Sequence, residues 1–160
     1  MLITSLLAAG AVATFQVAIT PAHRNGEEWW KSRHEQCVEK TKKGGYDLIF
    51  IGDSITQGWE GGGKSTWDTY YAHRKAANFG FSGDRTEHVL WRMENGEIKG
   101  LQPKVAVIMI GTNNIGHGSS NAEQTAEGVQ LIVKRLRGMM PSTKILLLGI
   151  FPRGRDANDS

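Results

Sequence analysis

The constraint that narrows the fold most is the stretch Asp47-Leu48-Ile49-Phe50-Ile51-Gly52-Asp53-Ser54-Ile55-Thr56-Gln57-Gly58. A run from Leu48 to Ile51 is too short for a helix, and two of its residues are β-branched, so it reads as a buried strand of a parallel sheet. Gly52 permits a sharp turn off the strand end and delivers Ser54 to the carboxyl edge, where open α/β sheets keep their ligand sites. A serine held there can act as a nucleophile if a base and donors to a developing oxyanion lie close by. The competing role for Asp53 or Ser54 is capping the next helix, which is common at any strand–helix junction.

Other strands follow the same plan. Ala76–Gly80 is a short second strand, Val105–Ile110 is apolar on both faces and therefore central, and Lys144–Ile150 is a fourth. Gly52, Gly80, Gly111 and Gly149 each close an apolar run. Helices fill the intervals. Glu27–Lys43 begins with acids and ends with lysines before Gly44-Gly45, and it places Trp30, His34, Cys37 and Thr41 on one face. A second helix runs from Arg85 or Thr86 to about Asn95, with Asp84 and Glu87 as its cap signal. A third follows Ser120-x-x-Glu123 and ends at Pro141. His34 and His88 are read as packed helix residues. Trp67, Tyr70 and Tyr71, on a short segment from Thr66 to Arg74, are read as core. The class is α/β with a parallel sheet.

The chain has 160 residues, enough for one domain, and its formal charge of +3 is dispersed. Lys40, Lys42 and Lys43 form the densest cluster and suit a solvated helix end, not a nucleic-acid footprint. A single cysteine, Cys37, excludes an internal disulfide framework and any multi-cysteine metal site. Leu2–Val12 followed by Ala13 resembles a secretory signal without a basic n-region, and Ile19–Gly26 reads as a linker. Residues 1–22 are thus assigned to a signal and linker, with export to the periplasm or exterior preferred over a cytoplasmic location. The apolar run is too short for a transmembrane helix.

Gly58-Trp59-Glu60-Gly61-Gly62-Gly63-Lys64-Ser65 satisfies the phosphate-loop pattern G-x-x-x-x-G-K-S. That motif works when it leaves a strand directly and opens a helix, and here the Ser54 turn already occupies the junction. A flexible loop is the preferred reading.

Three strand ends therefore present Ser54, the Gly83 loop and Asn113 on one edge. At these residues the sequence resembles the SGNH hydrolases, or GDSL lipase/esterase family, in the platelet-activating-factor acetylhydrolase-like branch. The resemblance rests on Ile51-Gly52-Asp53-Ser54, Asn78-Phe79-Gly80 with Gly83-Asp84, His88-Val89-Leu90-Trp91-Arg92, Gly111-Thr112-Asn113-Asn114 and Phe151-Pro152-Arg153-Gly154. It implies a flavodoxin-like three-layer α/β/α sandwich of five parallel strands ordered 2-1-3-4-5, of which four are present. It also implies a serine esterase for small acyl esters on lipids or sugars, with no metal or organic cofactor. Ser54 would be the nucleophile; the Gly83 N–H and Asn113 would be oxyanion donors, with the Ser54 N–H a third. Asp53, Asp84, Asn114 and His117 would border the site.

One departure matters. The family's Asp-x-x-His block supplies the general base and its orienting acid, and no Asp in this sequence has a His three residues later. The expectation is a domain over 23–160 that is incomplete at its C-terminus and has little turnover as it stands. The alternative is a non-catalytic module that binds a ligand or partner on the same fold. The Lys144–Ile150 strand would then be an unpaired apolar edge, inviting self-association.

Overall fold

The computed structural model describes residues 16–151, so the segment read as a secretory signal and the Pro152–Gly154 part of the last motif lie outside the described residues. Four strands, β1 (Leu48–Gly52), β2 (Ala76–Gly80), β3 (Val105–Met109) and β4 (Lys144–Leu147), form one sheet in the order β2-β1-β3-β4. All three pairings are parallel. This is the expected α/β architecture with the expected strand order.

Residue alternation sends Ile49 and Ile51 of β1, Phe79 of β2 and Ala106 and Ile108 of β3 to one face, where all are buried. Helices α1 (Glu28–Lys43), α4 (Thr86–Glu94) and α6 (Ala122–Met139) close that core with Trp30, Cys37, Val89, Leu90, Ile132 and Leu136. The face predicted for α1 is the one observed, since Trp30, His34, Cys37 and Thr41 are its buried residues. Burial pushes the Cys37 thiol up to about 12, so it stays protonated and unreactive.

The opposite face is covered by the segment that follows β1. Two short helices, α2 (Ser54–Gln57) and α3 (Lys64–Tyr70), carry Trp67 and, just beyond α3, Tyr71 onto Phe50, with ring centroids 5.1 and 5.0 Å apart. Tyr70 is not core: it is 59% exposed, beside an apolar hollow of about 630 Å³ floored by Phe50, Val107 and Leu146. The glycine-rich stretch is also more ordered than a flexible loop. Gly58–Glu60 is a 3-10 turn, and the Lys64 ammonium donates to Asp68 on its own helix at 2.6 Å. It leaves a helix and not a strand, so a phosphate cradle has no strand end to stand on.

Two cap assignments shift. α6 is capped by Asn121 and Gln124, one residue beyond the expected Ser120 and Glu123. At α4 the His88 Nδ1 accepts the Arg85 N–H at 3.0 Å, and Asp84 does not cap at all. The stretch expected as a linker is docked: the Ala18 carbonyl accepts the Thr86 hydroxyl at 2.8 Å, and the Ala22 N–H donates to the Glu87 carbonyl at 3.1 Å.

Candidate active site

The strand ends are level. Gly52 of β1 is in register with Gly80 of β2 and Met109 of β3, so Ser54 at the start of α2, the Gly83 loop and Asn113 on the short helix α5 (Thr112–Gly116) follow at one edge. Gly52 and Gly80 allow α2 to sit directly on those ends. A Cβ on Gly52 would lie 2.4 Å from the Met109 carbonyl oxygen, and one on Gly80 would lie 2.3 Å from the Gln57 nitrogen.

Ser54 is exposed at the first position of α2. Asp53, fully buried, caps that helix by accepting the Ile55 N–H at 3.0 Å. The turn is tied to the β2 loop twice: Asn78 donates to the Thr56 carbonyl at 2.7 Å, and the Ser82 N–H donates to the Gln57 amide oxygen at 2.6 Å. Asp53 therefore fixes the turn and does not face the edge.

Gly83 has φ of +73°, a conformation glycine adopts without strain. Among the described residues its N–H has no hydrogen-bond acceptor. The adjacent Asp84 carbonyl accepts one N–H of the Asn113 amide at 2.9 Å, in a buried contact. Gly83 and Asn113 are thus brought together. Gly83 also borders a polar cleft of about 350 Å³ with Arg24, Arg85, His88 and the exposed His117.

Asn114 belongs to the scaffold. Its side chain accepts the Thr86 N–H at 3.0 Å and donates to the Thr86 hydroxyl and the Glu87 carboxylate at 3.0 and 3.1 Å. Asp84 is likewise buried, bound by Trp30, Arg24 and Arg92. Their pairing with Asp84 is not legible in the sequence: Trp30 and Arg92 lie on helix faces whose pattern also satisfies ordinary core packing, and Arg24 lies in the segment before α1.

Two titrations oppose each other here. Burial, reinforced by the Arg85 guanidinium, lowers the His88 imidazole to about 3. Burial raises the Asp84 carboxyl to about 6, against the pull of Arg92, Trp30 and Arg24. The depressed histidine contributes stability above pH 6.5 that drains away towards pH 3. The raised acid does the reverse, and its ionisation costs stability as pH climbs from about 4 to 6. We expect the two to offset between about pH 4 and 6, and His88→Asn, which keeps an acceptor for the Arg85 N–H, to lose stability on going up that interval. Urea midpoints across the range test it, and parallel profiles for both proteins would contradict it.

Among the described residues no group of three or more His, Cys, Asp or Glu is placed to hold a metal ion, and no helix is long and apolar enough to cross a membrane. A parallel sheet with polar groups gathered at its carboxyl edge defines an α/β protein of the kind that binds small ligands at strand ends.

Comparison with known proteins narrows the class. The sequence model of the GDSL-like Lipase/Acylhydrolase family matches residues 50–160, and the chain belongs to that family. It is 38% identical over 133 residues to platelet-activating factor acetylhydrolase IB subunit alpha1 of Bos taurus, covering 83% of this chain and 55% of that protein. The alpha2 subunit of Rattus norvegicus is equally similar, with 56% of its length covered. The chain thus spans just over half the length of these relatives. A GDSL-like lipase from Bacteroides thetaiotaomicron shares the fold, with a TM-score of 0.58 at 18% identity over 72% of this chain and 57% of that one.

Proposed function

We propose that this chain carries the nucleophile and the oxyanion donors of a serine esterase that cleaves small, acetyl-type acyl esters of lipid or sugar alcohols. Ser54 Oγ attacks the carbonyl carbon and gives up its proton to solvent. The C–O bond to the alcohol breaks as the tetrahedral intermediate collapses, the alcohol leaves with a proton from water, and a second water hydrolyses the acyl-serine. The Gly83 N–H and the second N–H of Asn113 receive the oxygen as it becomes negative. The observation that supports this best is the Asn113–Asp84 hydrogen bond, which leaves one amide N–H of Asn113 available beside the unaccepted N–H of Gly83. The names of the acetylhydrolase relatives point to the acyl group. These residues include no Asp-x-x-His, so turnover by this chain alone is expected to be low. The assay is covalent capture at alkaline pH with long incubation, so that hydroxide can take the serine proton: a serine-directed fluorophosphonate should label the wild type on the Ser54 peptide and spare Ser54→Ala. Equal labelling of both would end the assignment.

Self-association is the second part of the reading. Among the described residues β4 pairs only with β3, and Leu146, Leu147 and Phe151 are 52, 48 and 57% exposed. An apolar edge beside a half-covered sheet face favours pairing with another copy. Sedimentation velocity at tens of micromolar should show dimers or larger species, and Leu146→Lys with Phe151→Ser should shift them to monomer. A monomeric wild type would remove this part.

A further inference from the structure

Asp84 is a fully buried carboxylate that does not cap a helix, since His88 performs that task for α4. Its bonds run instead in two directions. Towards the strand-end loops, its carbonyl holds the Asn113 amide at 2.9 Å and its N–H donates to the Phe81 carbonyl at 3.1 Å. Towards the helices, Oδ1 accepts the Trp30 indole N–H at 2.7 Å and an Arg24 N–H at 3.2 Å, and Oδ2 accepts the Arg92 Nε–H at 2.9 Å. Both anchors are themselves fixed. Trp30 is fully buried on α1. Arg92 is fully buried on α4, lies 3.9 Å from the Phe81 ring centroid and bonds Glu97 at its other end. The same Arg24 nitrogen donates to the Ser82 carbonyl at 2.5 Å, pinning the residue before Gly83.

We propose that Asp84 is the positioning residue of the oxyanion pocket, its carboxylate clamped by Trp30 and Arg92 so that the Gly83 N–H and the Asn113 amide are aimed together. The proposal rests on the esterase reading for the word oxyanion, but the clamp itself can be tested separately. Oxyanion donors act by being held in place before charge develops, and misplacement by about 1 Å can cost about 10²-fold in rate. Asp84 follows directly on the residue that carries one donor, and its own carbonyl orients the other, so holding Asp84 bears on both at once. The cost of burying its charge is met by Trp30 and Arg92 in the core and by Arg24 at the rim of the polar cleft.

Asp84→Asn is close in shape but must turn an amide N–H towards Trp30 or Arg92, both donors. Trp30→Phe is the gentler probe, removing one donor and keeping a ring. Fluorophosphonate capture at Ser54 should slow by about 10–100-fold in Asp84→Asn, with the loss in the inactivation rate constant and not in probe affinity. Arg92→Lys should restore part of the rate lost in Arg92→Met. In 15N-labelled protein, the Gly83 amide and the Asn113 side-chain signals should move in both Asp84→Asn and Trp30→Phe, while the Asn114 side-chain signals stay in place. Unmoved Gly83 and Asn113 signals in either folded variant would overturn the clamp. Moved signals with an unlabelled wild type would support the clamp and overturn the esterase reading instead.

Discussion

Replacing Arg92 with methionine is expected to lower the unfolding free energy by about 3–5 kcal/mol, the cost of removing one partner from a buried ion pair. Arg92 has no solvent exposure, and two acids, Asp84 and Glu97, lean on it from opposite sides. Methionine fills much of the volume and keeps contact with Phe81, so packing accounts for little of the loss. The stranded charge accounts for the rest, and this gives the variant a signature in pH. Burial already raises the Asp84 carboxyl to about 6 with the guanidinium in place. Without it the folded-state value rises further above the unfolded one, so the carboxyl takes up a proton more readily in the folded protein. The deficit should therefore shrink towards pH 5 and widen towards pH 8. Asp84→Asn in the Arg92→Met background should recover part of the stability, because it removes the charge that was stranded. Guanidinium midpoints with unchanged slope provide the measurement, and a loss under 1 kcal/mol at pH 8 would refute the account.

That buried cluster marks the boundary of what sequence could reveal. The strands were legible because short β-branched runs ending in glycine have few other homes, and the face of α1 was legible because period alone selects Trp30, His34, Cys37 and Thr41. The Ser54 turn was legible for the same local reason. Asp84 was not: an acid three residues before Glu87 has the same pattern whether it caps a helix or, as here, receives Trp30 from 54 residues away. Its partners Arg24, Trp30 and Arg92 are far apart in the chain or hidden in a helix pattern, and only the fold makes them neighbours. Likewise Ser120 and Asn121 are both good capping residues, and no local preference distinguishes them. Tyr70 failed for a different reason. As an aromatic it is read as core, but the sheet face it overhangs is only partly covered.

The adjacent asparagines provide the sharpest separation of site from scaffold. Both follow the end of β3, both are buried, and residue type and spacing offer no ground for giving them different tasks; only the family resemblance separates them. Their bonds do. Asn113 uses one N–H on the Asp84 carbonyl, which leaves a second N–H on the same nitrogen. Asn114 is engaged three times by Thr86 and Glu87 at the start of α4. Asn113→Ala should therefore slow fluorophosphonate capture at Ser54 by about 10²–10³-fold, the usual consequence of deleting one oxyanion donor. Its stability cost should be about 1 kcal/mol, since a single carbonyl loses its donor. Asn114→Ala should reverse the pattern. It strands the Thr86 N–H, worth about 1–3 kcal/mol when left without a partner, and leaves the buried Glu87 Oε2 only the longer contact with the Thr86 hydroxyl at 3.4 Å. Capture per folded molecule should fall only a few-fold, through loosening of the loop that also carries Asn113. Measured together, capture rates and denaturant midpoints place the two variants in opposite corners. If Asn114→Ala loses as much reactivity as Asn113→Ala while remaining as stable as the wild type, the donor assignment belongs to position 114 instead.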